Sequence, residues 1–288
     1  MGRAFAIGVV LNSAIVLAQA TAGFWSHSLA LLADAGHNLS DVLALVLAWG
    51  ASALAKRAPN GRRTYGLRKG TILASLANAV LLLVAVGAIV TESIHRLGAP
   101  APVSTGLVML TAGLGVVVNT ATAALFFRGS HGDLNVRSAF LHMASDAAVS
   151  LAVVAGALAM AQTGLLWIDP ALSLAIAAVI VFGTWGLLRE SFDLALDAAP
   201  KGLDVDAVRD WLAAQPGVVG VHDLHIWAMS TTETALTAHL IRPGNGDGDA
   251  FLHATCEGLA KRFNIGHATM QIETDPAHAC RLAPAEVV

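Results

Sequence analysis

The hydrophobic and polar positions divide the chain into two parts that meet near residue 195. In the first part, apolar residues form long runs that are separated by short polar connections. A helix that crosses a bilayer needs about 20 mostly apolar residues. Six runs have that length, at positions 4–25, 28–55, 70–94, 103–127, 134–161 and 166–190. The pattern therefore predicts an all-α membrane bundle of six helices over residues 1–195.

The second part, residues 196–288, has the pattern of a small α+β domain. Helical periodicity predicts two helices in it, at 204–217, where a Pro-Gly pair ends the pattern, and at 250–264. β-branched residues and partial alternation predict three strands, at 218–229, 232–243 and 267–273. The predicted order αββαβ is typical of helices packed on one sheet. We expect the residues from Pro276 onward to be loosely held.

Composition and charge agree with a membrane protein. The chain is 56% hydrophobic and 13% charged, whereas soluble domains carry about 25% charged residues. Basic residues are concentrated in the loop between the second and third runs, and the opposite connections offer only Arg96. Cytoplasmic loops carry an excess of Lys and Arg, so both termini are predicted to be cytoplasmic after six crossings. The basic residues of the loop are Lys56, Arg57, Arg62, Arg63, Arg68 and Lys69.

Two other features have alternative interpretations. The segment LAQATA (17–22) contains the Ala-x-Ala pattern of a signal-peptide cleavage site, although the long apolar run around it, interrupted by Asn12, favours a membrane helix. Cys256 and Cys280 form no C-x-x-C motif and imply no disulfide framework. The C-terminal half has no long basic tract, so nucleic-acid binding has no support.

Two predicted membrane helices carry titratable residues in the same pattern. HNLSD contains His37 and Asp41, and HMASD contains His142 and Asp146, each pair four residues apart. Residues with this spacing project from one face of a helix, about 5–6 Å apart. Two such faces turned toward each other would supply two nitrogens and two carboxylate oxygens, a ligand set that suits Zn²⁺.

The cost of burying these groups supports the metal site. An Asp at the centre of a membrane helix costs about 2.5–3.5 kcal/mol on the insertion scale, and such residues normally line an ion path or proton relay. For one motif alone, a His–Asp hydrogen bond within the helix would be the simpler interpretation. Two copies at membrane depth favour a shared cation site. Asp34 lies on the same helical face and could attract cations or cap a helix, while Asn12 could line the path.

Several segments together resemble the cation diffusion facilitator family, in its zinc-transporter and cobalt-zinc-cadmium resistance branch. They are SLALLADAGHNLSDVLAL, RRTYGLRKG, DLNVRSAFLHMASDAAVS and HDLHIWAMSTTETALTAHL. The resemblance implies a homodimeric six-helix transporter of the bacterial inner membrane with a cytoplasmic αββαβ domain of the ferredoxin-like, metallochaperone type. It also implies export of divalent cations, chiefly Zn²⁺, against protons, with the transport site at His37, Asp41, His142 and Asp146.

The resemblance further implies a second metal site in the cytoplasmic domain. His222, His239, His253 and Asp275 occupy matching positions, and Glu273 stands where some relatives have His. Further candidates in the same domain are His225, His267, His278 and Cys280. Two metal-binding segments of some relatives have no counterpart here: the loop 126–138 contains only His131, and the loop 56–70 contains no His, Cys, Asp or Glu.

Three other functions share some of these features. An intramembrane metallohydrolase would use the same ligands, but the chain has no H-E-x-x-H motif and no membrane Glu beside the predicted site to act as a base. A membrane metal sensor would bind metal without conducting it. A transporter of Co²⁺, Cd²⁺, Fe²⁺ or Mn²⁺ would keep the same fold, although two histidines among four ligands disfavour Mn²⁺.

Overall fold

The computed structural model describes residues 3–55, 57–127, 134–244, 247–275 and 280–282. The chain forms two compact units. The first comprises Met1–Leu47 and Ala77–Leu187, and the second comprises Ala48–Leu76 and Leu188–Val288. The stretch between the second and third predicted membrane helices thus belongs to the same unit as the C-terminal domain.

Long helices occupy the positions predicted from the apolar runs. They are α1 (Arg3–Ser26), α2 (Leu29–Ala55), α3 (Gly70–Gly98), α4 (Thr105–Phe127), α5 (Leu134–Thr163) and α6 (Ile168–Ala195). Within the described part of the chain, four segments are both long and apolar enough to cross a membrane: Gly70–Gly98, Thr105–Ala124, Phe140–Thr163 and Ile168–Ala195. The segment LAQATA lies inside the continuous helix α1.

The core of the first unit is built largely from small side chains. Ala33, Ala112, Ala157 and Ala177 are almost fully buried and pack together with Leu31 and other aliphatic residues. Small residues allow membrane helices to approach closely, because lipid provides no hydrophobic drive for their association. The buried residues of α2 and α5 in this core lie near the beginning of α2 and the second half of α5. That half of the helix pair is therefore the closely packed one.

A carboxylate on α6 fixes the beginning of α2. Asp169 accepts hydrogen bonds from the Ser28 hydroxyl at 2.5 Å and from the backbone N–H groups of Leu29 at 2.7 Å and Ala30 at 3.4 Å. The first N–H groups of a helix have no partners within it, and a negative charge there is favourable. Asp169 therefore anchors the helix that carries His37 and Asp41.

The C-terminal part of the second unit has the predicted αββαβ order. Its elements are α7 (Val205–Ala213), β1 (Gly220–Ala228), β2 (Thr234–Ile241), α8 (Gly248–Phe263) and β3 (Ile265–Glu273). The strand order is β1-β2-β3, with β1 antiparallel and β3 parallel to β2. Leu212, Leu236, Leu240 and Leu259 are fully buried between the helices and the sheet. Asp204 and Asp247 cap the starts of α7 and α8 by accepting backbone hydrogen bonds.

A bulge interrupts β1 next to the predicted histidines. His222 pairs with His239 and His225 pairs with Thr237, so the register shifts between His222 and His225. Within the bulge, Asp223 adopts a left-handed backbone conformation with φ of 48°. Bulges redirect side chains locally and are frequent near functional sites.

The basic loop after α2 is held to the C-terminal domain by ion pairs within the second unit. Arg68 Nη1 lies 2.9 Å from Glu233 Oε1, and Lys69 Nζ lies 2.5 Å from Asp197 Oδ1. The backbone N–H of Thr231 also donates to the Thr71 hydroxyl at 3.0 Å. All four charged groups are substantially exposed, so the individual pairs contribute little to stability. Together they define how the loop lies against the domain.

Candidate metal sites

The four residues of the two H-x-x-x-D motifs converge in the first unit. His37 Nε2 lies 3.2 Å from Asp146 Oδ1, and His142 Nε2 lies 3.3 Å from Asp41 Oδ2. Both short contacts join α2 to α5, whereas the contact within α5, between His142 and Asp146, is longer at 3.7 Å. The two His–Asp pairs therefore form between the helices, and not as one separate pair within each helix.

The spacing of these atoms suits a small divalent cation. Zinc binds nitrogen and oxygen at about 2.0–2.2 Å in a tetrahedron, which places neighbouring ligand atoms about 3.4 Å apart. The contacts of 3.2, 3.3 and 3.7 Å bracket that value. His37, Asp41 and Asp146 each offer a ligand atom within 4.8 Å of the others. A cation could be held with modest side-chain movement, and it would offset the charge of both carboxylates.

Exposure falls steadily along this cluster. The side chains of His142 and Asp41 are 44% and 32% exposed, that of His37 is 21% exposed, and that of Asp146 is 2% exposed. The exposed pair lies toward the α2 C-terminus and the α5 N-terminus. The cluster is thus accessible from the end of the helix pair opposite the alanine-rich core.

Two weaker candidates lie near this cluster. Asp34 is fully buried one turn before His37, where Gln19 and Ser150 donate hydrogen bonds to it at 2.8 and 2.9 Å. It therefore does not cap a helix. Asn12 is half-buried on α1. Two residues that the sequence pattern does not single out are Ser150, which lies one turn from Asp146 on α5, and Asp169.

A second cluster forms at one end of the sheet in the C-terminal domain. His222, His239, Glu273 and Cys280 each place a ligand atom within 4.8 Å of the others. Glu273 Oε1 lies 3.0 Å from His239 Nδ1 and 3.2 Å from His222 Nε2. Two imidazoles, a carboxylate and a thiol are all donors that zinc accepts.

One nitrogen of this cluster has no hydrogen bond. His222 Nε2 is buried and, among the described residues, lacks a hydrogen-bond partner despite its closeness to Glu273. An unsatisfied buried polar atom is uncommon in a native protein and indicates a missing partner such as an ion. The donor set and this unsatisfied nitrogen both fit a metal.

The remaining predicted ligands lie elsewhere within the described structure. His253 is 80% exposed on α8, where its nearest charged neighbour is Glu257 at 3.6 Å, and Asp275 is exposed just beyond β3. His225 lies 2.8 Å from Asp223, and the ring of His267 packs edge-on against Tyr65. His278 and His131 lie outside the described residues.

Two details of the domain were not evident from the sequence. Asp223 lies 3.5 Å from His239 as well as next to His225, and only the bulge of β1 brings it there. The two cysteines also differ, because Cys280 lies 3.4 Å from His239 Nδ1 while Cys256 lies on α8. Burial raises the pKa of the Cys256 thiol above its ordinary value, which disfavours the thiolate that metals bind.

The fold and the paired His–Asp motifs define a class: a helical membrane domain with a His–Asp cluster, followed by a small α+β domain with a second group of possible metal ligands. Residues 5–194 match the family profile described as "Cation efflux transmembrane domain", and residues 200–275 match "Cation efflux protein, cytoplasmic domain". The chain belongs to the cation efflux family. It is an integral membrane protein of a family of transporters and not of enzymes.

Named relatives align with nearly the whole chain. The "Cation efflux system protein CzcD" of Alcaligenes sp. (strain CT14) is 34% identical over 275 residues, covering 95% of this chain and 87% of that protein. The "Zinc transporter ZitB" of Escherichia coli (strain K12) is 36% identical over 276 residues, with the same coverage of 95% and 87%.

A further relative and a solved structure extend these comparisons. The "Cadmium, cobalt and zinc/H(+)-K(+) antiporter" of Bacillus subtilis (strain 168) is 29% identical over 278 residues, covering 93% of this chain and 88% of that protein. A structure described as the metal-bound C-terminal domain of the CzcD transporter from Cuprividus metallidurans is 34% identical, covers 25% of this chain and 99% of that chain, and has a TM-score of 0.23.

Proposed function

We propose that this protein exports divalent cations, with Zn²⁺ as the main substrate, in exchange for protons by alternating access. The observation that carries the proposal is the pairing of His37 with Asp146 and of His142 with Asp41 across α2 and α5. Two nitrogens and two carboxylate oxygens would suit a borderline-soft divalent cation, and three of the four residues, His37, Asp41 and Asp146, already have ligand atoms within 4.8 Å of one another. The names of the relatives, which include zinc, cobalt and cadmium, agree with this substrate class.

The site would bind and release its substrate through protonation. The ligands must be deprotonated to hold the cation, so binding releases protons. An imidazole has an ordinary pKa of about 6.5, which suits an exchange near neutral pH. In the proposed cycle the cation enters from the exposed His142 and Asp41 end, the bundle reopens on the other side, and protons displace the cation. A proton antiporter among the relatives supports protons as the counter-ion.

The proposed arrangement in the membrane follows the distribution of charge. Helices α1 and α2, of 24 and 27 residues, are long enough to add two crossings to the four apolar segments already identified. With six crossings the basic loop and the C-terminal domain lie on the same, cytoplasmic side. We place the protein in a bacterial inner membrane with both termini in the cytoplasm. The transport domain is residues 1–195, and the cytoplasmic domain is residues 196–288.

The cytoplasmic domain is proposed to regulate transport and to support a homodimer. His222, His239, Glu273 and Cys280 would hold a Zn²⁺ ion there. The ion would offset the charge of Glu273 and complete the bonding of His222. His253 and Asp275, the other ligands predicted from the sequence, do not belong to this group of four among the described residues.

One experiment tests the substrate and the counter-ion together. The purified protein is reconstituted in vesicles that contain a pH indicator, and Zn²⁺, Co²⁺, Cd²⁺, Fe²⁺ and Mn²⁺ are added in turn. We expect Zn²⁺ to give the fastest uptake, accompanied by proton movement in the opposite direction. Uptake without proton movement would contradict antiport, and a faster response to another cation would reassign the substrate. Binding without uptake of any cation would indicate a sensor.

A further inference from the structure

A buried carboxylate on α2 has no role in the mechanism proposed above. Asp34 is 0% exposed, and its Oδ2 atom accepts hydrogen bonds from the Gln19 amide and the Ser150 hydroxyl. Its other oxygen, Oδ1, is also buried and has no hydrogen-bond partner among the described residues. Leaving a buried polar atom unpaired is costly, and more so for a charged group. The unpaired Oδ1 atom therefore indicates that a further partner, such as a cation, binds to Asp34.

Asp34 continues the row of contacts that forms the transport site. Three pairs join α2 to α5, each about one helical turn from the next. Asp41 and His142 form the first pair at 3.3 Å, and His37 and Asp146 form the second at 3.2 Å. Asp34 and Ser150 form the third at 2.9 Å.

Exposure decreases from the first of these pairs to the third. The first pair is open to solvent, the second is mostly buried, and both members of the third are fully buried. A cation that enters at the first pair and moves inward past the second would then reach Asp34. The free Oδ1 atom gives the cation a binding group at that point.

The donor atoms around Asp34 differ from those of the transport site. The carboxylate and the Ser150 hydroxyl supply oxygen only, and the Gln19 amide oxygen is already engaged with the Asn38 side chain at 3.0 Å. Zinc binds more weakly to oxygen than to sites that include imidazole. Weak binding suits a point of departure, because a conducted ion must be held loosely enough to leave.

We propose that Asp34, together with Ser150, forms a second cation-binding station one helical turn beyond the transport site, which receives the ion on its way to the outer face. This station rests on the proposed function, since it needs an ion that moves along the α2–α5 pairs. Its expected signature is an effect on turnover and not on capture of the substrate.

The test compares Asp34→Asn with the wild type and with Ser93→Ala. Asparagine keeps an oxygen that can accept from Gln19 and Ser150, so the hydrogen bonds are preserved while the carboxylate is lost. Ser93 is a buried intramembrane hydroxyl bonded to Ser173 and lies outside the row of pairs, which makes it a matched control. Ser150→Ala serves as a second variant, since it removes the hydroxyl ligand and keeps the carboxylate.

Zinc uptake into vesicles gives kcat and KM, and titration of the detergent-solubilised protein counts the bound ions. For Asp34→Asn we expect kcat to fall about tenfold, KM to change less than about threefold, and the weakest zinc-binding event to disappear. Ser150→Ala should show a smaller loss of kcat, and Ser93→Ala should match the wild type. Thermal melting verifies that each variant is folded.

A folded Asp34→Asn variant with wild-type turnover and an unchanged number of bound zinc ions would contradict the proposal that Asp34 and Ser150 bind a second cation. A rise in KM with unchanged kcat would also overturn it, because Asp34 would then belong to the transport site. If the wild type transports no cation into vesicles, the proposed function is wrong. The number of zinc ions bound by the wild type and by Asp34→Asn then decides alone whether Asp34 binds metal.

Discussion

At the residue scale, each imidazole of the transport cluster has its closest carboxylate on the other helix. His37 lies nearest to Asp146, and His142 lies nearest to Asp41. Loss of one residue therefore removes a ligand and also leaves a polar partner unpaired at membrane depth. Such a site should tolerate exchange of one donor type for another better than loss of a donor.

Exchange of the donor at position 37 should change the preference for cations. In His37→Asp the site has one nitrogen and three carboxylates, and oxygen donors favour Mn²⁺ and other hard cations. We expect uptake of Mn²⁺ to rise relative to Zn²⁺ by about tenfold in competition assays with vesicles. An unchanged ranking of the cations would mean that donor type at this position does not determine selectivity.

The cytoplasmic cluster includes some of the ligands predicted from the sequence and leaves out others. His239 contacts Glu273 and Cys280, whereas His253 is exposed on α8. In full-length protein whose transport site is disabled by Asp146→Asn, His239→Ala should lower zinc affinity about 10- to 100-fold, because it removes one of four donors. The same replacement at His253 should change the affinity less than about threefold.

The His253 variant also tests the sequence prediction directly. Equal losses of affinity for His239→Ala and His253→Ala, measured by competition with a chelating dye, would show that His253 is recruited to the metal. The cluster described above would then be incomplete within one chain.

The spacing of residues along the chain predicts which of them share one face of a helix, but it does not show which helices face each other. His37, Asp41, His142 and Asp146 repeat at one helical turn, so their shared face follows from the period of the helix. The position of Asp223 depends on a β-bulge. The Oδ1 atom of Asp34 has no hydrogen bond because Gln19 and Ser150 both donate to Oδ2. Neither depends on a periodic pattern, so the sequence could not supply them.

At the scale of elements, the apolar runs predict where the six long helices lie, but they do not predict where each helix ends. The structure extends α3 to Gly98 and α6 to Ala195, a few residues beyond the apolar runs that end at 94 and 190. These extensions carry polar residues such as His95 and Asp193, which can remain in water while the helix continues. Hydrophobicity therefore locates the crossings and not the helix ends.

The close approach of α4 to the buried polar group around Asp34 depends on a glycine. A Cβ atom at Gly115 would lie 2.9 Å from Gln19 Nε2 and 3.2 Å from Ser150 Oγ. We expect Gly115→Ala to displace both donors, to destabilise the protein by about 1–3 kcal/mol and to slow uptake. Gly113 on the same helix has open space around its Cβ position, so Gly113→Ala provides the control.

Thermal melting and vesicle uptake of the two alanine variants provide the comparison. If Gly115→Ala melts and transports like Gly113→Ala, the packing of α4 against Gln19 and Ser150 does not constrain the bundle.

At the scale of the whole molecule, the two candidate metal sites lie in different compact units. The H-x-x-x-D residues belong to the first unit, and His222, His239, Glu273 and Cys280 belong to the second. Helices α2, α3 and α6 each contribute residues to both units. This division agrees with the separate roles that we propose for the two sites, in transport for the first and in regulation for the second.

The central claim is that the cluster on α2 and α5 carries the cation. The most direct measurement is the initial rate of zinc uptake into vesicles by Asp146→Asn, with equal amounts of folded protein verified by thermal melting. Asp146 contacts both histidines and is the least exposed of the four residues. The account predicts uptake at the level of empty vesicles, a loss of about 100-fold or more. Uptake near the wild-type rate would contradict it.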